Sequence, residues 1–262
     1  MKRLLCEMPP SAGKPSPLSP EEAGHALQVL RMSAGEQVLA IDGKGSEILA
    51  ALRIEGKKAS LEFVQAMRKS APPSPELILE AAVLKADAMS WVVEKAAELG
   101  ANRFVPLESE YVVVKMKDKG PEAFRDRWQR IADQSLKQCE RLWAMKVEMP
   151  IALESLASSA KKPGNEVRII LDERAVRSSE SLLISRLQSL SIPGLTAVRL
   201  MVGPEGGWGE RDRKIFESLP EPCLRAHLGE AILRAETACL STLAQAEAVL
   251  QRSFLDKNPR SG

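Results

Sequence analysis

Two short stretches near the end of the chain combine glycines with charged side chains, residue types that can bind a ligand closely and act on it. The first reads GPEGGWG over residues 203–209, and the second reads LGEAILRAETA over residues 228–238. Glycines concentrated at one turn permit positive φ and let a ligand approach the backbone. The first stretch lies between a β-type run and a helical segment, so it predicts a ligand-binding strand-to-helix turn, with a plain tight turn as the alternative.

The composition of the first stretch argues against a phosphate ligand. Its spacing is neither G-x-G-x-x-G nor G-x-x-x-x-G-K-[ST], Pro204 lacks an N–H group, and Glu205 adds a negative charge. A neutral or cationic ligand held by backbone groups is favoured instead. S-adenosylmethionine, which carries a sulfonium, is one such ligand.

The elements that must position these stretches alternate between strand and helix. Predicted strands cover residues 77–84, 103–107, 167–171 and 196–202, and predicted helices cover residues 88–99, 121–139, 180–190, 210–219 and 236–251. This alternation predicts a parallel sheet covered on both faces. Ligands bind at the carboxyl ends of such strands, where the turns after Leu171, Val202 and Leu228 are expected to meet.

The N-terminal quarter has a different pattern. Short β-type segments up to about Val64 predict a small β-barrel or sheet module, with a hairpin turn at residues 42–45 and a helix that begins at Ser19-Pro20. Residues 68–75 contain three prolines and two basic residues, which indicates an interdomain linker.

Composition limits the remaining possibilities. The net charge of +2 is too small to indicate a nucleic-acid partner, so any basic surface must be local. The four cysteines form no C-x-x-C pair, which favours free thiols in a reducing compartment over a metal site. No apolar run approaches the roughly 18 residues of a membrane span, and the start of the chain lacks a signal sequence. We therefore expect a cytoplasmic protein without a membrane anchor.

One local basic surface is predicted between Tyr111 and Lys146. This segment has nine Lys and Arg against five Asp and Glu, and it includes Trp128 and Trp143. Cations interleaved with aromatic rings are typical of a polyanion-binding face. A solvated helix face gives a similar count and remains the alternative.

At the two glycine-containing stretches the sequence resembles the RsmE family of SPOUT methyltransferases. The resemblance rests on Gly203-Pro204-Glu205-Gly206-Gly207 and on Leu228-Gly229-x-x-Ile232-Leu233-Arg234-x-Glu236-Thr237-Ala238. Weaker matches are His25-x-x-x-Val29-Leu30-Arg31, Lys85-x-Asp87, Glu94-Lys95-Ala96-x-Glu98-Leu99-Gly100 and Asp133-Gln134-Ser135. The matches run in order from residue 25 to residue 238.

The resemblance implies methylation of N3 of a uridine in 16S ribosomal RNA, with S-adenosylmethionine as the cofactor. It implies an α/β fold with an N-terminal PUA-like β-barrel that binds RNA over residues 1–70. A SPOUT methyltransferase domain with a parallel sheet and a C-terminal trefoil knot would cover residues 76–255, followed by a flexible tail over residues 256–262. The implied partners are ribosomal RNA or the small ribosomal subunit, and a second copy of the chain in a homodimer.

The resemblance also assigns residues to the site. Those expected to hold the cofactor are Leu171, Val202, Gly203, Glu205, Gly206, Leu228, Gly229, Ile232, Leu233 and Thr237. Those expected to contact RNA are His25, Arg31, Lys85, Lys95, Lys137 and Arg141.

The chemistry of the reaction suggests three catalytic residues. A uridine N3–H is a weak acid, so the proton must be removed and the charge that spreads to O2 and O4 must be stabilised. Arg234 is the candidate for stabilising that charge, since a guanidinium keeps its proton. Glu205 or Glu236 is the candidate base. Alternatively, these carboxylates cap a helix or hold the loop, and Arg234 forms a salt bridge with one of them.

Two positions depart from the family pattern. Where the family has Ser-Glu-Arg-Ser and Glu-Gln-x-x-Arg, this chain has Tyr111 and Lys137 in place of the two arginines. Two rival functions follow: a methyltransferase with a different RNA target, and an inactive RNA-binding relative. An ordinary nucleotide-dependent α/β enzyme is disfavoured because neither phosphate-loop spacing is present.

Overall fold

Two sheets organise the chain in the computed structural model, which describes residues 1–56, 58–112, 114, 120–158, 165–191, 193–220 and 222–257. The chain divides into two units. Met1–Pro73 and Asp133–Ala144 form the first, and Ser74–Ala132 and Met145–Gly262 form the second. No sequence pattern had assigned residues 133–144 to the N-terminal module. The domain limits at residues 70 and 76 stay predictions.

The first unit contains a five-stranded sheet in the order β1-β3-β4-β5-β2. Its strands are β1 (Arg3–Leu5), β2 (Ser16–Pro17), β3 (Gln37–Ile41), β4 (Ser46–Glu55) and β5 (Lys58–Lys69). The predicted hairpin joins β3 to β4, and Asp42 fixes its turn because its carboxylate accepts hydrogen bonds from Lys44 N and Ser46 N, at 2.7 and 2.9 Å. Helix α1 (Pro20–Gly24) continues as a π-helical turn, His25–Val29, and Ser19 caps it as predicted.

The predicted linker over residues 68–75 begins two residues too early, because β5 continues through Lys69. Arg68 still pairs with β4, opposite Glu47. Its Nε donates to Glu47 Oε1 at 2.6 Å, and the Glu47 carboxylate is buried. A buried carboxylate needs such a partner, so Arg68 has a structural role in the sheet rather than in a linker.

The second unit contains a seven-stranded parallel sheet, as predicted. Its path is β12-β10-β11-β6-β7-β8, and β9 also pairs with β7. The strands are β6 (Glu76–Ala82), β7 (Arg103–Glu108), β8 (Lys146–Val147), β9 (Ile151–Ala152), β10 (Glu166–Leu171), β11 (Ala197–Val202) and β12 (Cys223–Ala226). The helices that follow β6 along the chain are α2 (Ala86–Glu98), α3 (Pro121–Cys139), α4 (Leu153–Ser158), α5 (Leu183–Gln188), α6 (Glu210–Phe216) and α7 (Ala235–Lys257). Residues 133–139 of α3 belong to the first unit.

Hydrophobic clusters cover both faces of this sheet. Strand residues such as Leu79 and Leu200 pack with α2 and α7 on one face, while Ile78 and Met201 pack with α4 and α6 on the other. Among the described residues, none of the helices combines the length and apolar character that crossing a membrane requires. The trefoil knot stays a prediction.

The helix predicted over residues 180–190 is interrupted. Ser179–Ser181 forms a 3₁₀ turn, Leu182 is extended, and α5 begins at Leu183. The interruption has a long-range cause: His227 N donates to Ser181 O, and Leu183 N donates to His227 O, both at 3.0 Å. Local helix propensity therefore yields to pairing with the segment that follows β12.

Helices α6 and α7 also end away from the predicted positions. Helix α6 ends at Phe216 rather than near residue 219, and α7 runs to Lys257, so residues 256 and 257 of the predicted tail are helical. The rest of the predicted tail lies outside the described residues, as do residues 113 and 115–119 of the predicted basic segment.

A buried ion triad crosses the centre of the parallel sheet. Glu80, on β6, is fully buried, and its carboxylate accepts hydrogen bonds from Arg168 of β10 and Arg199 of β11 at 2.8 to 3.1 Å. Arg199 also donates to Glu166 at 2.7 Å. One carboxylate thus binds cations from two neighbouring strands.

Replacing Glu80 with alanine is expected to lower the free energy of unfolding by about 3–5 kcal/mol, because two arginines would lose the buried charge they share. Chemical denaturation of the wild type and the variant measures this difference. Glu76→Ala is the control on the same strand, since its bridge to Arg103 is partly exposed and is worth about 1 kcal/mol or less. Equal losses in the two variants would contradict a central role for Glu80.

Candidate functional site

The two glycine-containing stretches line a single cavity at the carboxyl edge of the parallel sheet. Its volume is about 290 Å³, close to the lower end of the roughly 300–1,000 Å³ of small-molecule sites. Asp172 follows β10, Gly203 follows β11, and His227 follows β12. All three line the cavity, so the predicted meeting of three turns is confirmed.

Most of the predicted cofactor residues line this cavity. They are Val202, Gly203, Glu205, Gly206, Leu228, Gly229, Ile232 and Leu233. Leu171 and Thr237 are not among the lining residues. Leu171, the last residue of β10, packs in a hydrophobic core cluster, and Thr237 is exposed on the first turn of α7. The sequence analysis had not selected other lining residues, including Asp172, Glu173, Arg177, Trp208 and His227.

Trp208 anchors the Gly203 loop, which we define as residues 203–209. Its indole is almost fully buried, packs edge-on against Phe216 with ring centres 5.1 Å apart, and donates from Nε1 to Leu171 O at 2.8 Å. A Cβ at position 203 would lie 3.1 Å from Trp208 Cε2. Glycine at this position therefore lets the ring fold back against the end of β11.

Arg213, on α6, ties the same loop to the end of β10. Its guanidinium donates to Trp208 O, Asp172 Oδ1 and Glu173 Oε1, each at 2.8 Å. Asp172 is buried and also lies 3.4 Å from Arg225. Arg213 and Arg225 thus orient the Asp172 carboxylate, and Arg213 also orients the Glu173 carboxylate.

His227 connects the turn after β10 to the Leu228 loop, which we define as residues 228–234. Its Nε2 lies 3.2 Å from Ser178 O, and its Nδ1 lies 3.2 Å from Gly229 N and 3.3 Å from Gly229 O. A carbonyl oxygen only accepts hydrogen bonds, so Nε2 is the donor to Ser178 O, while Nδ1 lies within hydrogen-bond distance of both backbone groups of Gly229. Arg177 adds a second connection by donating to Glu230 O at 2.8 Å.

The three catalytic candidates differ in their placement. Glu205 is exposed and lines the cavity, Arg234 is exposed at the end of the Leu228 loop, and Glu236 is half-buried on α7. Within the described part of the chain, none of these side chains forms an ion pair, so the salt bridge considered for Arg234 is not observed.

Burial and the neighbouring Glu236 raise the pKa of the Cys239 thiol to about 12, which keeps this thiol protonated.

The predicted RNA-binding residues do not share one environment. Lys137 lies 2.5 Å from Glu22, with only 12% of its side chain exposed. Hydrogen bonds to Glu94 and Glu98 raise the pKa of Lys95. Arg31 and Lys85 are exposed, whereas His25 and Arg141 are half-buried. Contact of these residues with RNA stays a prediction.

Family models match most of the chain. A model of the RNA methyltransferase domain matches residues 72–247, and a model of the RNA methyltransferase PUA domain matches residues 18–64. The first model alone spans more than half of the sequence. It covers the parallel sheet and every residue that lines the cavity.

Individual methyltransferases are similar to this chain over most of its length. Ribosomal RNA small subunit methyltransferase E of Bacillus subtilis is 27% identical over 93% of this chain and 94% of its own length. The protein of the same name from Synechocystis is 31% identical over 87% of this chain and 71% of its own length. The solved structure of this methyltransferase from Neisseria gonorrhoeae, bound to S-adenosylmethionine, superposes with a TM-score of 0.78 at 26% identity, covering 95% of this chain and 98% of the other.

Replacing His227 with phenylalanine is expected to speed amide hydrogen exchange in the Leu228 loop about ten-fold. The phenyl ring keeps the shape of the side chain but removes two hydrogen bonds, which together contribute about 1–3 kcal/mol. Exchange measured by mass spectrometry on peptides from residues 226–235 checks this result. His25→Phe, in the first unit, is the control. Unchanged exchange in His227→Phe would show that the backbone bonds of His227 suffice to hold the loop.

Proposed function

Because the chain belongs to the ribosomal RNA small subunit methyltransferase E family, we propose that it methylates N3 of a uridine in 16S ribosomal RNA, with S-adenosylmethionine as the methyl donor. The observation that carries this proposal is the cavity in which both family stretches meet at the ends of β10, β11 and β12. The chain is accordingly an S-adenosylmethionine-dependent RNA methyltransferase. Its substrate is ribosomal RNA, presented on the assembled small subunit.

The lining of the cavity suits this cofactor. Apolar groups from Val202, Leu228 and Leu233 offer contacts for the adenine ring, and the backbone of the Gly203 and Leu228 loops offers hydrogen bonds. The exposed Glu173 carboxylate at the same wall can pair with a cationic group of the ligand, whereas the Asp172 carboxylate is already paired with Arg213 and Arg225. The cofactor supplies an electrophilic methyl group on its sulfonium.

Arg234 and one carboxylate complete the chemistry in this proposal. Arg234 is exposed beside the cavity and forms no ion pair with a described residue, so its guanidinium is available to the uracil oxygens when N3 loses its proton. Glu205 lines the cavity and Glu236 does not, which makes Glu205 the preferred base of the two. The two loops align N3 with the methyl group.

The identity of the RNA and the assembly of the protein belong to the same proposal. Lys137, which replaces an arginine of the family pattern, is paired with Glu22 and largely buried. This pairing favours, as the second candidate, a methyltransferase of the same mechanism that acts on a different RNA. We also propose that the protein functions as a homodimer in the cytoplasm, where ribosomal subunits are available.

The purified protein is expected to transfer a labelled methyl group from S-adenosylmethionine to 30S particles that lack this modification. Mass spectrometry of the digested RNA should identify 3-methyluridine at one position. Transfer to another RNA or another atom would select the second candidate. Absence of transfer to any RNA would favour an RNA-binding protein without catalysis.

The same assay distinguishes the catalytic candidates. Arg234→Gln is expected to lower kcat about 100-fold or more, as the loss of one oxyanion donor does. Glu205→Gln is expected to lower kcat by about 10²–10⁴-fold if it is the base, and Glu236→Gln is the matched comparison. A larger effect of Glu236→Gln would transfer the role of base to that residue.

Calorimetry is expected to show that Gly206→Trp abolishes binding of S-adenosylmethionine. The indole would project from a loop whose backbone lines the cavity, next to Tyr111, which a Cβ at position 206 would approach to 3.3 Å. Gly24→Trp is the control, because a Cβ at position 24 meets no atom within 4 Å. Unchanged affinity in Gly206→Trp would remove the Gly203 loop from the cofactor site.

A further inference from the structure

Tyr111 places an aromatic ring against the Gly203 loop. A Cβ at position 206 would lie 3.3, 3.5 and 3.6 Å from Cβ, Cδ2 and Cγ of this tyrosine, so glycine at position 206 allows the ring to approach the loop backbone. Gly206 itself lines the cavity. The only tyrosine of the chain thus lies beside the candidate cofactor site.

The backbone next to the ring is held in place. Glu110 N donates to Asp212 Oδ1 at 3.1 Å, and the Glu110 carboxylate accepts from Arg211 N at 2.9 Å. Asp212 is buried and also accepts from Gly209 N at 3.0 Å. The segment that carries Tyr111 is therefore fastened to the end of the Gly203 loop and to the start of α6.

The ring is nevertheless open to solvent. Tyr111 is 48% exposed, although it packs on the loop. Within the described residues, its hydroxyl has no hydrogen-bond partner. An exposed aromatic face that lies adjacent to a cavity, on a segment whose backbone is held in place, suits stacking on a planar ligand.

We propose that Tyr111 determines substrate binding by stacking on the uracil ring that receives the methyl group. This inference rests on the proposed function. Stacking on an aromatic side chain binds a base without requiring a charge, and an arginine guanidinium also stacks on bases. Tyrosine in place of the family's arginine therefore keeps a flat surface beside the cavity while it removes the cation.

A purely structural role for the ring predicts a different set of effects. If Tyr111 only supported the Gly203 loop, its loss would weaken cofactor binding as well as RNA binding. Tyr111→Leu separates the two roles, because leucine retains apolar packing on Gly206 but offers no flat face. Tyr111→Phe retains the face and removes only the hydroxyl.

The test measures KM and kcat for methyl transfer to 30S particles, and the affinity for S-adenosylmethionine by calorimetry. For Tyr111→Leu we expect KM for 30S particles to rise at least about five-fold, given the contribution of base stacking. Tyr111→Phe should remain within about two-fold of the wild type, and cofactor affinity should be unchanged in both. Trp91→Leu is the control for a second exposed aromatic side chain, on α2, and should leave KM unchanged.

Each other outcome has a defined meaning. An active wild type with an unchanged KM in Tyr111→Leu overturns the stacking role and leaves the proposed function intact. Weaker cofactor binding in Tyr111→Leu also overturns it, because the ring then acts as a support for the loop. Absence of methyl transfer by the wild type overturns the proposed function, and the stacking role with it.

Discussion

The buried contact between Arg213 and Asp172 is the interaction on which the candidate site depends. Asp172 follows β10 and is 1% exposed, so its carboxylate requires a cation at close range. Arg213 provides that cation from α6 and also binds Trp208 O, which belongs to the Gly203 loop. One guanidinium thus sets the position of the loop relative to the end of the neighbouring strand. Two residues that line the cavity, Asp172 and Trp208, are thus held by one buried arginine.

The sequence predicted the elements whose signal is local. Strands β10 and β11 are short apolar runs, and the glycines of the Gly203 loop mark the turn that follows β11, so the meeting of loops at one sheet edge could be expected. The residues that hold those loops carry no such signal. His227 is one of only two histidines, and its partner Ser178 is 49 residues away in the chain. The backbone of His227 bonds to Ser181 and Leu183 and so interrupts the helix predicted over residues 180–190, which no local propensity reveals.

The two departures from the family pattern have separate structural meanings. In the sequence, Tyr111 and Lys137 each stand where the family pattern has an arginine, and the pattern itself does not distinguish the two replacements. Lys137 is paired with Glu22 within the first unit, whereas Tyr111 lies against the Gly203 loop of the second unit and is exposed. Position in the sequence gave no basis for this distinction, because it depends on which groups surround each side chain after folding.

The convergence of two loops on one cavity links ligand concentration to the stability of the second unit. The turns that line the cavity follow three adjacent strands, β12, β10 and β11, and a ligand that contacts all of them binds only when these strands are assembled. Any such ligand raises the free energy of unfolding in proportion to the logarithm of its concentration, by about 2.7 kcal/mol at 100 times its Kd. The folded population of this unit therefore depends on the supply of its ligand.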